Sequence, residues 1–317
     1  MTDAVLDHGY GCTFDRHHEP TLEIASGDRV TFKCREAADG QITPASTVHD
    51  LENADTTRVH SILGPIRIKG AEPGDTVEVR LLSLEHHGWG WTGLTPAAEG
   101  ALGTALLEDE FPDRLTLRIL HVDGQECLRL ADNVRIPINP SCGLVGLAPS
   151  EPGPHRTLPP RPTGGNMDNR YLRAGSTVYL PVAVEDGLLY LGDCHLAQGD
   201  GQSSLYAVEA PMTVTARVIL HKGWRIQEPR YVTAPGGRHR HDDMAFYATT
   251  SVQGSDLYAN AQRAASYMVE WLQERHGLIS DDAYILIGIA GNILVNEIVD
   301  TPNYGVSVQM PRDIFTD

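Results

Sequence analysis

The chain has 317 residues, enough for a large core and two or three subdomains at roughly 100–200 residues each. Its 25 Lys and Arg face 42 Asp and Glu, a formal net charge of −17. Nucleic acid and anionic membrane both require a basic surface, for counterion release or headgroup contact, so neither is an expected partner. The opening "MTDAVLDHGYGCTFDRHHEP" lacks the apolar stretch of a secretory signal, and no segment approaches the ~20 apolar residues of a membrane span. Five scattered cysteines without a CxxC pair suit reduced thiols and exclude a thiolate zinc knuckle. A cytoplasmic protein is the expectation.

The first two thirds read as strands and turns. "RVTFKCRE" alternates, and "GPIRIKGAEPGDTVEVRLLSLEHHG" places Val77, Val79 and Leu81 at every second position after a Pro-Gly-Asp turn. "LTLRILHVDGQECLRL" sets Asp123-Gly124 between two apolar runs, and "GSTVYLPVAVEDGLLYLGDCH" does the same with Asp186-Gly187. Both read as hairpins, because those residues accept positive φ. "MTVTARVILHKG" is a further strand. Near residue 225 the character changes. "SDLYANAQRAASYMVEWLQERHG" has helical periodicity, with Leu257, Ala261, Ala264, Ala265, Met268, Trp271 and Leu272 on one face, Ser255 as cap and Gly277 as stop. "SDDAYILIGIAGN" reads as a buried helix capped by Ser280, and "ILVNEIVDTPN" and "GVSVQMP" return to strand. The expected fold is mainly β with an α+β C-terminal part: 1–135 barrel-like, 136–225 a β-sandwich part, 226–317 α+β.

Three segments carry more polar residues than strands need: "TVHDLENADTTRVHSILGP" (His49, Asp50, Asp55, His60), "RPTGGNMDNR" (Asn166, Asp168, Asn169) and "YLGDCHLAQGDGQ", residues 190 to 202. In the last, Asp193 and His195 stand at i and i+2, so on extended chain they project to one side. A carboxylate and an imidazole converging there can bind zinc or a similar ion. The loop Gly199-Asp200-Gly201 can return another carboxylate, and Asp168 can add an oxygen. The alternative is that Asp and Gly shape turns while His195 satisfies a buried carbonyl.

The motifs "DGQITPAS", "GPIRIKGAEPGDTVEV", "GWGWTGLTP", "GLVGLAPS", "GGNMDNRYLRAGSTVYLPV", "LGDCHLAQGDGQ" and "VDTPNYGVSVQMP" together resemble the acetamidase/formamidase family over almost the whole length. That resemblance implies a β-barrel/β-sandwich architecture and metal-assisted hydrolysis of small aliphatic amides with release of ammonia. It implies Asp168, Asp193, His195, Asp200 and Gln202 as the catalytic set, and a metal on Asp168, Asp193 and His195, with His49 or His60 approaching. Zinc suits a histidine with carboxylates; calcium or magnesium suits oxygens alone. Asn166 and the backbone N–H groups of Gly164 and Gly165 are candidates to stabilise the oxyanion. A small amide is the expected substrate, and the chain is expected to form a homo-oligomer. Two positions depart from the family: Gln202 stands where Glu is common, and Thr163 where His often precedes Gly-Gly-Asn-Met-Asp. A non-catalytic binding module on the same fold, or a hydrolase for another amide-like substrate, are therefore the alternatives.

Other residues have competing readings. Cys194 lies beside His195, but neighbours on a strand face opposite ways, which favours packing over nucleophilic attack. The alternating Trp89 and Trp91 line either a pocket or the core. The pairs His239/His241 and His17-His18 suit solvated loops better than metal sites. No Gly-x-Ser-x-Gly or His-Glu-x-x-His occurs, which removes the α/β-hydrolase and zincin options.

Overall fold

In the strand Arg29–Cys34 the side chains of Val30, Phe32 and Cys34 are buried while Arg29, Thr31 and Lys33 face outward. The strand Met212–His221 alternates in step, with Val214 opposite Phe32 and Ala216 opposite Val30. This period-2 pattern gives each strand one apolar face and demands a second layer to cover it. The protein, described here from a computed structural model, is defined over residues 3–96, 105–234, 245–298 and 302–316.

Two sheets supply the layers. The first runs Asp3–Leu6, Arg29–Cys34, Met212–His221, Thr76–His86, Thr177–Pro181, Arg230–Val232. The second runs Gly164–Asn166, Ser141–Leu147, Leu189–His195, Glu209–Ala210, Trp89–Leu94, Thr116–His121. The strand Ile62–Ile68 also pairs with Leu189–His195. Val30, Phe32, Val79 and Val214 of the first sheet share one core with Leu63, Ile66, Val145 and Leu191 of the second. The architecture is mainly β and sandwich-like. The expected N-terminal barrel is not formed, because both sheets are open and bury their apolar faces against each other rather than by closure. Residues 1–135 and 136–225 both supply strands to each of the two sheets, so the two segments share their sheets.

The two predicted hairpins also differ from expectation. Asp186 and Gly187 do adopt φ of 64° and 68°, but Thr177–Pro181 and Leu189–His195 lie in different sheets, so this turn carries the chain between layers. At the other, positive φ falls on Glu126 rather than Gly124, and Cys127–Ala131 pairs onward with Val134–Pro137 instead of back with Thr116–His121. A tight turn fixes a reversal of direction, and tertiary packing decides which strand receives it.

The C-terminal part is a three-stranded sheet (Phe246–Ser251, Gly305–Pro311, Asn292–Glu297) with the helix Leu257–His276 packed on it, followed by the helix Ser280–Ala290. Ala261, Ala264, Ala265, Met268 and Leu272 are buried, as the periodicity predicts. The first helix is capped by Asp256, whose carboxylate accepts from the Ala259 N–H, and not by Ser255; Gly277 ends it with a φ of 65°. Ser280 is the first residue of the second helix rather than its cap. Among the described residues no helix is long and apolar enough to cross a membrane.

This part holds the polar loop after His195 in place. The Gly199 N–H donates to the Gly288 carbonyl (2.8 Å) and the Ile293 N–H to the Asp200 carbonyl (2.9 Å). The buried Tyr284 hydroxyl donates to the Ser203 carbonyl at 2.6 Å. A Cβ on Gly199 would lie 1.9 Å from the Gly291 carbonyl oxygen, so only glycine allows this approach.

Candidate active site

The strand Leu189–His195 is buried on both faces, and its alternation breaks once. Leu189 and Leu191 face the sandwich core, and Tyr190 faces a separate cluster with Phe14, Ile62 and Leu144 on the other side. Further along, the core residue is Cys194. Asp193, with a φ of 51°, makes the switch after Gly192. Asp193 and His195 therefore point away from the sandwich core, both to one side, while remaining buried. On the neighbouring strand Gly143 lies beneath them. A Cβ there would sit 2.4 Å from His195 Cε1, 2.8 Å from Asp193 Oδ2 and 2.9 Å from Asp168 Oδ1.

Three further side chains reach the same place. Asp168 follows the strand Gly164–Asn166 and is held by its own N–H on the Gly143 carbonyl (3.1 Å). His60 precedes Ile62, which pairs with Gly192, and its N–H donates to Thr157 Oγ1 at 2.7 Å. Glu209, which belongs to none of the three polar segments, is directly opposite His195 in register. Directly opposed residues share a face, and Glu209 Oε2 is 3.2 Å from His195 Nε2. Its other oxygen accepts from the Ala207 N–H at 3.0 Å. The signal in the sequence is a lone charge inside the apolar run "AVEAPM".

The cluster is rich in unused polar atoms. His60 Nδ1, Asn166 Oδ1, Asp168 Oδ1, Asp193 Oδ1, His195 Nε2 and Glu209 Oε2 are all buried without a hydrogen-bond partner in the protein. Buried polar atoms in that number are costly unless something satisfies them. His195 Nε2 lies 3.5 Å from Asp193 Oδ1 and 3.9 Å from Asp168 Oδ1, and donor atoms of these three residues are all within 4.8 Å of one another. Ligands about 2.0–2.2 Å from a tetrahedral zinc ion would be about 3.3–3.6 Å apart. The donor set and its spacing thus fit a divalent cation.

Electrostatics agree with that fit. Burial, reinforced by the Asp193 charge, pushes Asp168 up to about 7; burial and Asp193 do the same to Glu209, again to about 7. Burial also opposes the charge on Asp193, yet His60 and His195 beside it hold its carboxyl well below the usual range. Burial disfavours the His195 imidazolium, but Glu209 and Asp193 outweigh it and raise His195 well above its ordinary value. Three carboxylates at such range cannot all be charged unless positive charge, from the His195 imidazolium or a bound cation, lies among them.

Other expected residues lie elsewhere. His49 is exposed on the short helix Val48–Glu52, beside Glu52 and Asn53. The Asp200 carboxylate accepts from the Tyr171 hydroxyl (2.9 Å) and lies 3.9 Å from Arg170. Gln202 bonds to Gln198 and to the Leu205 carbonyl, and the Thr163 hydroxyl donates to the Leu147 carbonyl at 2.9 Å. Asn166 Nδ2 already donates to the Leu158 carbonyl (3.0 Å) and Asp168 Oδ2 (3.2 Å), which leaves its acceptor oxygen toward the cluster. The Gly164 N–H is engaged by the Arg161 carbonyl at 2.9 Å, and Gly165 pairs with Val145. Trp91 belongs to a buried cluster with Ala38, Ile42 and Leu51, and its indole N–H donates to Glu36. His18 meets the Tyr190 hydroxyl, His17 is exposed, and His239 and His241 lie outside the described residues.

The sequence profile of the "Acetamidase/Formamidase family" matches residues 7–154 and 152–317. A formamidase of Methylophilus methylotrophus is 28% identical, over 92% of this chain and 86% of its own length. A γ-lactamase from Delftia acidovorans superposes over 100% of this chain and 94% of its own with a TM-score of 0.88 at 23% identity, which establishes likeness of fold. An acetamidase from Bacillus halodurans is 28% identical, covering 98% of this chain and 97% of its own, with a TM-score of 0.67. With the profile spanning nearly every residue and the fold shared throughout, the chain belongs to the acetamidase/formamidase family.

Proposed function

We propose that the protein hydrolyses the carbon–nitrogen bond of a small linear amide at the Asp168–Asp193–His195 cluster, with a divalent cation held there and Glu209 moving the proton. The family makes it a hydrolase of non-peptide carbon–nitrogen bonds in linear amides. The observation that carries the site is the set of unpartnered buried atoms converging from His60, Asp168, Asp193, His195 and Glu209. Two imidazole nitrogens among the donors favour zinc over calcium or magnesium, which prefer oxygen throughout.

Amide hydrolysis has two obstacles, a resonance-stabilised carbonyl and a poor leaving amine. A bound divalent cation supplies positive charge that polarises the carbonyl and acidifies water. The residues supply the rest. Asp168, Asp193, His195 and His60 set the position of that charge. Glu209, fixed through Oε1 and with Oε2 turned to the cluster beside His195, accepts a proton from the attacking water and returns it to the departing nitrogen. Carbon–oxygen bond formation then ends in carbon–nitrogen cleavage, giving ammonia and a carboxylate. A positioned acid–base group of this kind contributes about 10²–10⁴-fold. Asp200 is less suited, since its carboxylate is taken by Tyr171 and Arg170.

The cluster assembles with Gln202 and Thr163 in place, both of which bond elsewhere, to Gln198 and the Leu205 carbonyl and to the Leu147 carbonyl. The test is elemental analysis together with ammonia release from formamide and acetamide, on the wild type, Asp193→Ala and His195→Ala. Loss of both metal and activity in the two variants is expected. Unchanged metal content in both would place any ion, and the chemistry, elsewhere.

A further inference from the structure

His195 presents one nitrogen to the cluster and the other to Gln198, and the proton on the second determines what the first can do. His195 Nδ1 is 2.9 Å from Gln198 Oε1. Gln198 Nε2 donates to the Asp168 carbonyl at 2.5 Å and to Gln202 Oε1 at 3.1 Å. Gln202 Nε2 in turn donates to the Leu205 carbonyl at 2.9 Å. Amide oxygen and nitrogen are hard to distinguish by shape, but here the chemistry distinguishes them. Backbone carbonyls only accept, so the atom facing Asp168 and the atom facing Leu205 must both be NH₂ groups. Gln202 then offers an oxygen to Gln198, and Gln198 offers an oxygen to His195. An oxygen there requires Nδ1 to carry hydrogen, and the Nε2 lone pair is left for the cluster.

We infer that Gln198, oriented by Gln202, is a positioning residue that fixes the His195 tautomer and so makes Nε2 a ligand for the cation. This rests on the reading of the cluster as a cation site. It also gives position 202 a role two hydrogen bonds behind the cluster, which Gln fills by donating to Leu205 and accepting from Gln198. Gln198 is 5% exposed and touches no reacting atom, so its effect runs through His195.

The test is zinc affinity by calorimetry on metal-free protein, with melting temperature as the check on folding. Gln198→Met is close in shape but cannot accept from Nδ1, and should weaken zinc binding about 10–100-fold, the usual effect of losing such an outer partner. Gln202→Glu can still accept from Gln198 but loses its donation to the Leu205 carbonyl, and should bind zinc more weakly than wild type and more tightly than Gln202→Met. Gln202→Met cannot accept, and should fall between Gln202→Glu and Gln198→Met. Asp193→Ala is run in parallel. If Asp193→Ala abolishes binding while Gln198→Met binds as tightly as wild type, the positioning role is wrong and the cation site stands. If the wild type takes up no zinc, both fall. Should Gln198→Met fail to fold, the ordering of the two Gln202 variants decides: equal affinities overturn the proposal.

Discussion

Gly143→Ala adds one methyl group beneath the cluster and nothing else. Gly143 is not in the left-handed region, so its backbone accepts alanine. The new Cβ would lie 2.4 Å from His195 Cε1, 2.8 Å from Asp193 Oδ2 and 2.9 Å from Asp168 Oδ1. Carbon contacts normally settle at about 3.5–4.0 Å, so the histidine ring must retreat by roughly 1.1–1.6 Å. A misplacement of about 1 Å costs catalysis roughly 100-fold, which is about 2.7 kcal/mol in kcat/KM. Overpacking costs about 1–3 kcal/mol of stability, offset by about 0.4–1 kcal/mol from the stiffer unfolded chain. The fold should therefore survive while the site fails. Ammonia release from formamide or acetamide gives kcat/KM, and thermal melting gives the fold. Gly124→Ala is the control, since a Cβ there meets nothing within 4 Å. A folded Gly143→Ala protein within about threefold of wild-type kcat/KM would refute the placement of the chemistry over Gly143.

Glu209→Gln keeps the Ala207 bond but cannot take up a proton, and should lower kcat by about 10²–10⁴-fold, measured as ammonia release. The metal-free protein should lose stability as pH rises. Asp168 and Glu209 have folded-state values of about 7, above their ordinary ones, so their contribution is full below about pH 4 and is lost as pH passes 7. A cation displaces those protons, and the melting-temperature gain on adding zinc should therefore widen between pH 5 and pH 8. Iodoacetamide should leave activity intact, because Cys34, Cys142 and Cys194 are buried in the core.

The sequence made Asp193, His195 and Asp168 visible because glycines and polar groups crowd two short stretches. Asp193 and His195 do share a side, as i and i+2 residues on extended chain would, but the strand between them is not regular. In an unbroken strand Asp193 and His195 would follow Leu189 and Leu191 into the sandwich core, and the left-handed residue 193 turns them out of it. Such a switch has no periodic signature. Glu209 was hidden because it reaches His195 across a ladder, and register between distant strands is set by tertiary packing. His49 and His60 looked equivalent as candidates. Only the pairing of Ile62 with Gly192 separates them, carrying His60 to the cluster while His49 stays exposed. The strands themselves were legible from alternation, but their allocation between two layers was not. The turns at Asp123-Gly124 and Asp186-Gly187 reverse the chain without saying which sheet receives the next strand.

The most direct test of the account is a titration of chelator-treated protein with zinc, reading ammonia release from the best small amide at each addition. Activity should be absent in the metal-free protein and rise linearly to a plateau at one equivalent of zinc per chain, the capacity of a single Asp168–Asp193–His195 donor set. Full activity in the metal-free protein, with no change on adding zinc, would contradict it.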